Sequence, residues 1–75
     1  MNNEIEKRIG LNIRNLRERA GMTQDILAVK LQILGCDITR SAVAKIEVGQ
    51  RHIYPDEIIK LKQILKVEYS DILDV

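Results

Sequence analysis

The chain has 75 residues, close to the smallest size at which one hydrophobic core stabilises a fold, so we expect a single domain over residues 1–75. Hydrophobic residues make up 45% of it, with two tyrosines and neither tryptophan nor phenylalanine, a composition typical of a small helical bundle with an aliphatic core. One cysteine and one histidine argue against an internal disulfide and a structural zinc site, and the net charge of +1 does not by itself indicate nucleic-acid binding.

Residues characteristic of an enzyme or a membrane protein are missing from the sequence. There is no catalytic triad, metal-binding motif or glycine-rich phosphate loop, so we expect neither catalysis nor a cofactor, a metal or a small-molecule ligand. The histidine, His52, follows Arg51 in a predicted loop, where a catalytic base is the least favoured of its roles. With no leader and no long apolar run, the protein is expected in the cytoplasm, without a membrane span.

The charges are distributed unevenly along the chain. Residues 39–52 carry three basic residues and one acidic residue, whereas residues 53–75 carry three basic and five acidic ones. Residues 1–20 are also basic, with five basic and three acidic residues. One side of the fold can therefore be positive although the molecule is nearly neutral.

The spacing of apolar residues predicts a first helix. These residues lie four, four, three and four positions apart along one helical stripe: Ile5, Ile9, Ile13, Leu16 and Ala20. Gly21 ends this helix, because glycine readily adopts the left-handed conformation required just after a helix.

Thr23 begins a second helix as its N-cap, since a threonine hydroxyl accepts a hydrogen bond from a free backbone N–H of the first turn. The helical pattern continues to Gly35, which predicts a helix of about twelve residues. Its stripe consists of Ile26, Leu27, Lys30, Leu31 and Leu34. Cys36, beyond the end, is expected to be a small, partly buried filler rather than a reactive thiol.

The third predicted helix, from the N-cap Thr39 to Gly49, has two different faces. At about 100° per residue, Ala42, Val43 and Ile46 fall within one third of the helical wheel and form the buried side. The opposite side has no carboxylate and consists of Ser41, Ala44, Lys45 and Val48, with Arg40 on the flank. Such a face can lie against a polyanion.

The last part of the chain predicts two more helices. Pro55 suits the first position of a helix and is followed by two acidic residues that the helix dipole favours. This helix is expected to run to Lys66, with the apolar set Ile58, Ile59, Leu61, Ile64 and Leu65, and a short turn over residues 69–73 follows. Because no strand-like alternation is visible, the predicted fold is all-α with five helices.

Two motifs resemble the helix-turn-helix of the phage-repressor and Cro (Xre) family, also called the Cro/CI type. They are Thr23-Gln24-x-x-x-Ala28 and Thr39-Arg40-Ser41-Ala42-Val43-Ala44-Lys45-Ile46-Glu47-x-Gly49. With residues 16–24 and 65–73, the resemblance covers nearly the whole chain, residues 5–73. It implies a five-helix repressor-like bundle in which helices 2 and 3 form the helix-turn-helix. It also implies sequence-specific binding of double-stranded DNA by a transcriptional regulator, most simply a repressor, with helix 3 in the major groove.

The resemblance further implies which side chains meet DNA. Base edges would be read from helix 3 by Arg40, Ser41, Ala44 and Lys45, which suit hydrogen bonds to guanine or contact with a thymine methyl group. The DNA backbone would be held at the start of helix 2 and after helix 3, by Thr23, Gln24, Gln50, Arg51 and His52. Simpler alternatives stay open: Thr23 as a cap only, His52 as an exposed loop residue, and Arg40, Ser41 and Lys45 as solvated surface residues.

Many relatives pair an arginine of helix 1 with a glutamate at the end of helix 3, and here these positions are Arg17 and Glu47. Glu47 falls beside Val43 on the helical wheel and so faces the protein, away from DNA phosphates that would repel it. We therefore expect a structural ion pair that orients helix 3, with Arg17 not in contact with DNA.

The sequence departs from the family pattern between helices 2 and 3. Gln32 occupies the position where the family has a glycine, and the extra residues 33–37 come before Ile38. An extended helix 2 and a longer connection are expected, which change the angle at which helix 2 delivers helix 3.

One recognition helix reads only a few base pairs, so a homodimer on a near-palindromic site is expected. Its interface would come from C-terminal residues, with Ile72, Leu73 and Val75 as the apolar candidates. The alternative function is a protein-interaction module on the same scaffold, such as an adaptor or an antitoxin-like partner, because a fold alone does not determine function.

Overall fold

In the computed structural model, residues 3–75 are described, with side chains from residue 4 onward. This part of the chain has no strand and consists of five α-helices: α1 (Asn3–Arg19), α2 (Gln24–Ile33), α3 (Arg40–Glu47), α4 (Pro55–Leu65) and α5 (Tyr69–Leu73). The prediction of an all-α, five-helix fold is confirmed. The helix α2 has 10 residues and is shorter than predicted, because Leu34 already leaves the helix as its C-cap.

The two predicted threonine caps start the helices of the helix-turn-helix. Thr23 Oγ1 accepts a hydrogen bond from the backbone N–H of Ile26 at 3.1 Å, and Thr39 Oγ1 accepts one from that of Ala42 at 3.2 Å. Beyond the other end of α3, Gly49 has a φ of 78°, a left-handed conformation that other residues adopt only with strain. Local sequence signals therefore set both ends of α3.

The core lies where the five helices meet. Its fully buried side chains come from all five helices and from the α2–α3 connection: Ile13, Leu27, Leu31, Ile38, Val43, Leu61 and Ile72. The helix α3 packs against α1 and α2, while α4 packs against α2 and α5. Removal of this apolar surface from water is the main force that holds α3 in place.

Some apolar residues of the predicted stripes are exposed: Ile5, Ala20, Ile26, Leu34 and Ile59. The helical period locates a stripe, but it does not show how far the neighbouring helices extend along or around it. The prediction of Ile72 at a dimer surface is wrong, because this residue is 0% exposed and part of the core. Leu73 and Val75 are exposed.

The extra residues between α2 and α3 form a packed connection. Cys36 and Ile38 are buried, and the backbone N–H of Cys36 donates to Leu31 O at 2.9 Å. Gln32 Nε2 donates to Ile38 O at 2.8 Å and so ties the end of α2 to the residue before the α3 cap. The helix α2 continues past Gln32, where the family has its glycine, and ends at Ile33, while the connection over residues 34–39 takes up the rest of the added length. These contacts fix where α3 begins.

Three further properties concern the whole described range. Among residues 3–75, no helix is long and apolar enough to cross a membrane. Over the same residues, no three side chains of metal-binding type come together as a metal site. Every buried side-chain nitrogen and oxygen atom in this range has a hydrogen-bond partner, so the interior is satisfied.

Candidate DNA-binding surface

The outer face of α3 is exposed and carries cations without carboxylates. Arg40, Ser41 and Lys45 are exposed, and Ala44 beside them is half-buried. The acidic residue of α3, Glu47, is buried on the opposite side. The four residues predicted to read bases therefore share one face of the helix.

Arg17 and Glu47 form an ion pair between α1 and α3 inside the protein. Arg17 Nε donates to Glu47 Oε2 at 2.6 Å, and Arg17 Nη2 donates to Glu47 Oε1 at 3.0 Å. Both residues are buried, with 7% and 4% of their surface exposed. The hydrogen bond to Glu47 raises the pKa of Arg17 above its ordinary value, against the opposing effect of burial. This bidentate geometry fixes direction as well as distance, so the pair orients α3.

Further hydrogen bonds extend this ion pair into α2. Gln24 Nε2 donates to Glu47 Oε1 at 3.0 Å, and Arg17 Nη1 donates to Met22 O at 2.8 Å. The helices α1, α2 and α3 therefore meet at one carboxylate. The Gln24 amide has a second N–H, and the Thr23 cap uses its hydroxyl only as an acceptor, so both residues keep a donor for a phosphate.

Arg51, a predicted contact to the DNA backbone, has a partner within the protein. Its Nη1 and Nη2 donate to Glu57 Oε1 and Oε2 at 2.9 and 3.0 Å, and Nη1 also donates to His52 O at 2.9 Å. Glu57 is only 6% exposed and accepts a further bond from the backbone N–H of Tyr54 at 3.0 Å. The helical pattern of α4 does not reveal this buried role. The available signal is the position of Glu57 three residues after Tyr54, which is that of the glutamate in a capping box.

The Arg51–Glu57 ion pair makes stability depend on pH. Burial raises the pKa of Glu57, but hydrogen bonds from Arg51 and from the Tyr54 backbone outweigh it, so this pKa is lowered from its ordinary value of 4.5. A carboxylate with a lowered pKa stabilises the fold fully above pH 4.5. It loses this contribution as the pH falls through the folded-state pKa.

We expect Arg51→Leu to lower the free energy of unfolding by about 1–3 kcal/mol at pH 7, because the buried Glu57 carboxylate loses its cation and both hydrogen bonds from the guanidinium. Below pH 4.5, Glu57 protonates in the variant and the difference from wild type shrinks. Urea unfolding at pH 7 and at pH 3.5 measures both differences. The control Arg14→Leu removes an exposed ion pair with Glu18 and is expected to change stability by less than about 0.5 kcal/mol. An effect of Arg51→Leu that is equal at both pH values would contradict this role of Glu57.

The other predicted backbone contacts after α3 lie in the same connection. His52 Nδ1 and Glu6 Oε1 are 2.6 Å apart, and the His52 ring meets the Tyr54 ring edge-on, with 4.9 Å between their centroids. Gln50 is exposed, and its backbone N–H donates to Lys45 O at 2.8 Å. Gln50 therefore presents an exposed amide, whereas Arg51 and His52 already contact acidic residues.

Gly10 positions α3 against α1, and the sequence motifs do not identify it. It is buried, and a Cβ atom here would lie 2.1 Å from Ile46 O and 3.1 Å from Glu47 O. The helix α3 thus rests on α1 through a backbone contact that only glycine allows. The sequence feature that points to Gly10 is its position as an isolated glycine in a helical pattern. Such a glycine costs about 1 kcal/mol relative to alanine and so usually has a packing reason.

A capped helix, a turn and a second helix with a cationic outer face, which a buried ion pair orients on α1, are the features of a helix-turn-helix DNA-binding protein. The helix-turn-helix family model matches residues 13–72. Because this match covers most of the chain, the protein belongs to the helix-turn-helix family of DNA-binding regulators. The prediction of an Xre-type helix-turn-helix regulator is confirmed.

Comparisons with individual proteins are consistent with this family. The chain is similar to Control protein C.BamHI of Bacillus amyloliquefaciens, with 33% identity over 75 residues, 99% of this chain and 86% of that protein. It is similar to the crystal structure of the restriction-modification controller protein C.AhdI from Aeromonas hydrophila, with 28% identity, a TM-score of 0.81 and coverage of 93% and 94% of the two chains. The DNA-binding domain of BldD shares the fold, with a TM-score of 0.81, 22% identity and coverage of 97% and 99%.

Proposed function

We propose that this protein is a transcriptional regulator that binds a specific double-stranded DNA sequence as a homodimer and places α3 in the major groove. The bases are read by Arg40, Ser41, Ala44 and Lys45. The DNA backbone is held by five residues at the start of α2 and after α3: Thr23, Gln24, Gln50, Arg51 and His52. The protein acts in the cytoplasm, without enzymatic activity or a cofactor.

The outer face of α3 is the observation that carries this proposal. Two exposed cations, Arg40 and Lys45, lie beside the small exposed Ser41, while the one carboxylate of α3 is turned inward and paired with Arg17. Arginine and lysine donate to guanine O6 and N7 in the major groove. The buried ion pair fixes this face relative to the N-terminus of α2, whose backbone N–H groups and caps suit a phosphate.

A homodimer is supported by the small size of the reading face, since one recognition helix contacts too few base pairs for specific binding. Exposed apolar side chains near the C-terminal end suit a contact between two copies: Tyr69, Leu73 and Val75. This segment is held on α1, because Asn12 Nδ2 donates to the carbonyl oxygens of Ile72 and Asp74, both at 3.0 Å. A surface held in this way suits a two-fold interface.

Similarity to a control protein and to a restriction-modification controller protein supports a narrower role. The 33% identity extends over 99% of the chain and so includes α3 and both of its connections. The regulated genes would then belong to a restriction-modification system, with the protein acting as a repressor where its site overlaps a promoter. A reporter promoter that carries the site is expected to be less active when the protein is present.

Selection of bound sequences from a random pool of double-stranded DNA tests the proposal. Wild type is expected to enrich a near-palindrome with half-sites about 10 bp apart, one helical turn. Arg40→Ala is expected to lose about 1–3 kcal/mol of affinity and to relax the preference at one base pair of each half-site. The control Lys30→Ala removes the same charge from the outer side of α2 and is expected to keep the preference. If wild type enriches no motif at low salt, sequence-specific binding is wrong.

A protein-interaction module is the alternative function, and one observation favours it. The outer face of α2 carries three exposed apolar side chains along one stripe: Ile26, Val29 and Ile33, the last 77% exposed. An exposed apolar stripe of this kind suits a protein partner. The two functions differ in salt dependence, because DNA binding weakens steeply as ionic strength rises.

A further inference from the structure

The N-terminal half of α1 lies beside the connection that follows α3. Residues 3–12 precede the segment that matches the family model, which begins at residue 13. Within them, Lys7 lies against Gly49: a Cβ atom on Gly49 would be 2.9 Å from Lys7 Cα and 3.0 Å from Lys7 Cβ and Cγ. The start of α1 therefore contacts the connection proposed to meet the DNA backbone.

Lys7 shares an open depression with three residues proposed to hold the DNA backbone. Its walls include Lys7, Gln50, Arg51 and His52, and also Glu6. The charged side chains in this depression are not equally available to bind a phosphate. Arg51 is paired with Glu57 at 2.9 Å, and Glu6 contacts His52. Lys7 is exposed, and its side chain makes no hydrogen bond or ion pair with another residue of the described range 3–75.

We propose that Lys7 Nζ binds a phosphate of the DNA backbone, which adds a contact from α1 to those from α2 and from the α3–α4 connection. This inference rests on the proposed function. A lysine side chain is a flexible point charge, so it requires a phosphate within reach rather than a fixed geometry. Because Gly49 has no side chain, α1 approaches closely enough for the stem of Lys7 to begin at the connection itself.

The Arg51–Glu57 ion pair explains why a cation from α1 is needed here. The buried carboxylate of Glu57 largely cancels the charge of Arg51, the one basic side chain that the connection supplies besides His52. A phosphate held only by Gln50 and His52 would therefore meet little positive charge. Lys7 supplies this charge from the helix on which the connection packs, and attraction between opposite charges at the phosphate dominates DNA affinity.

The test compares Lys7→Gln with Lys30→Gln, which removes an equal charge from the outer side of α2. Binding of each full-length variant to the site selected by wild type is measured between 50 and 200 mM salt. For Lys7→Gln we expect the slope of log affinity against log salt to become less steep by about 0.9 per subunit. Over this fourfold range its affinity should fall about 3.5-fold less per subunit than that of wild type. Lys30→Gln is expected to keep the wild-type slope, and thermal melts of both variants confirm the fold.

Two results would overturn the assignment of Lys7 while leaving the proposed function in place. In the first, Lys7→Gln binds the selected site with the slope of wild type. In the second, Lys7→Gln and Lys30→Gln lower the slope equally, which would mean that only the net charge matters. If wild type itself shows no salt-dependent binding and enriches no motif, the proposed function and the Lys7 contact are both wrong.

Discussion

Replacement of Arg17 by methionine is expected to lower the free energy of unfolding by about 3–5 kcal/mol, since it leaves a buried carboxylate without its cation. Glu47 would lose both bonds from the guanidinium, and Met22 O would lose its donor. In a domain of this size such a loss corresponds to a fall in Tm of about 15 °C or more. Circular dichroism during thermal and urea unfolding measures both quantities.

The double variant Arg17→Met/Glu47→Leu separates the cost of an unpaired charge from the value of the pair. A buried ion pair replaced by apolar residues of similar volume is often neutral in stability, so the double variant is expected to recover most of the loss. The matched control Arg14→Met removes an arginine from the exposed face of α1, where its pair with Glu18 contributes less than about 1 kcal/mol. A double variant as unstable as Arg17→Met alone would show that the arginine stabilises the fold by packing rather than by charge.

Recovery of stability in the double variant need not restore DNA binding. The Arg17–Glu47 pair and its bond to Gln24 join three helices, and apolar residues at these positions would pack without fixing a direction. The proposed base-reading face on α3 and the proposed phosphate contacts on α2 are held in register by that carboxylate. The ion pair therefore contributes more to the orientation of the reading face than to net stability.

Local features of the fold could be predicted from the sequence because they depend on neighbouring residues. The caps Thr23 and Thr39 act within one helical turn, and the helical period of α3 places Val43 and Ile46 inside. The exposure of Ile26 could not be predicted in this way, because it depends on which face of α2 the other helices cover. The burial of Ile72 could not be predicted either, because it depends on how α5 packs onto the core.

The candidate site likewise has residues that the local helical pattern predicts and residues whose partners depend on long-range packing. Arg40, Ser41 and Lys45 follow from the helical wheel once Val43 is inside, so their exposure was predictable. The partners of Arg51 were not, because its ion pair requires Glu57 to be buried under a connection whose course the sequence does not reveal. The contact between Lys7 and Gly49 joins residues 42 positions apart, and only the packing of α1 on that connection brings them together.

Gly10→Ala is expected to destabilise the protein and weaken its DNA binding, although alanine is the better helix former by about 1 kcal/mol. The added methyl group would lie 2.1 Å from Ile46 O, a backbone atom of α3 that a change of side-chain rotamer cannot move. Overpacking of this kind costs about 1–3 kcal/mol. If α3 shifts outward to relieve it, affinity for the selected site is expected to fall about tenfold, comparable with one mismatched base pair.

The control Asn15→Ala tests whether the expected loss of stability in Gly10→Ala comes from the contact with α3. Asn15 is exposed on the same helix, so the alanine there brings only the gain in helix propensity and should slightly raise stability without changing DNA affinity. Both substitutions raise helix propensity, so opposite effects on stability would point to the contact that the methyl group added at Gly10 makes with α3. Urea unfolding measures the change in stability, and titration of the selected site measures the change in DNA affinity. Both are carried out below the Tm of Gly10→Ala. If Gly10→Ala is as stable as Asn15→Ala and binds like wild type, the backbone contact between α1 and α3 does not position the recognition helix.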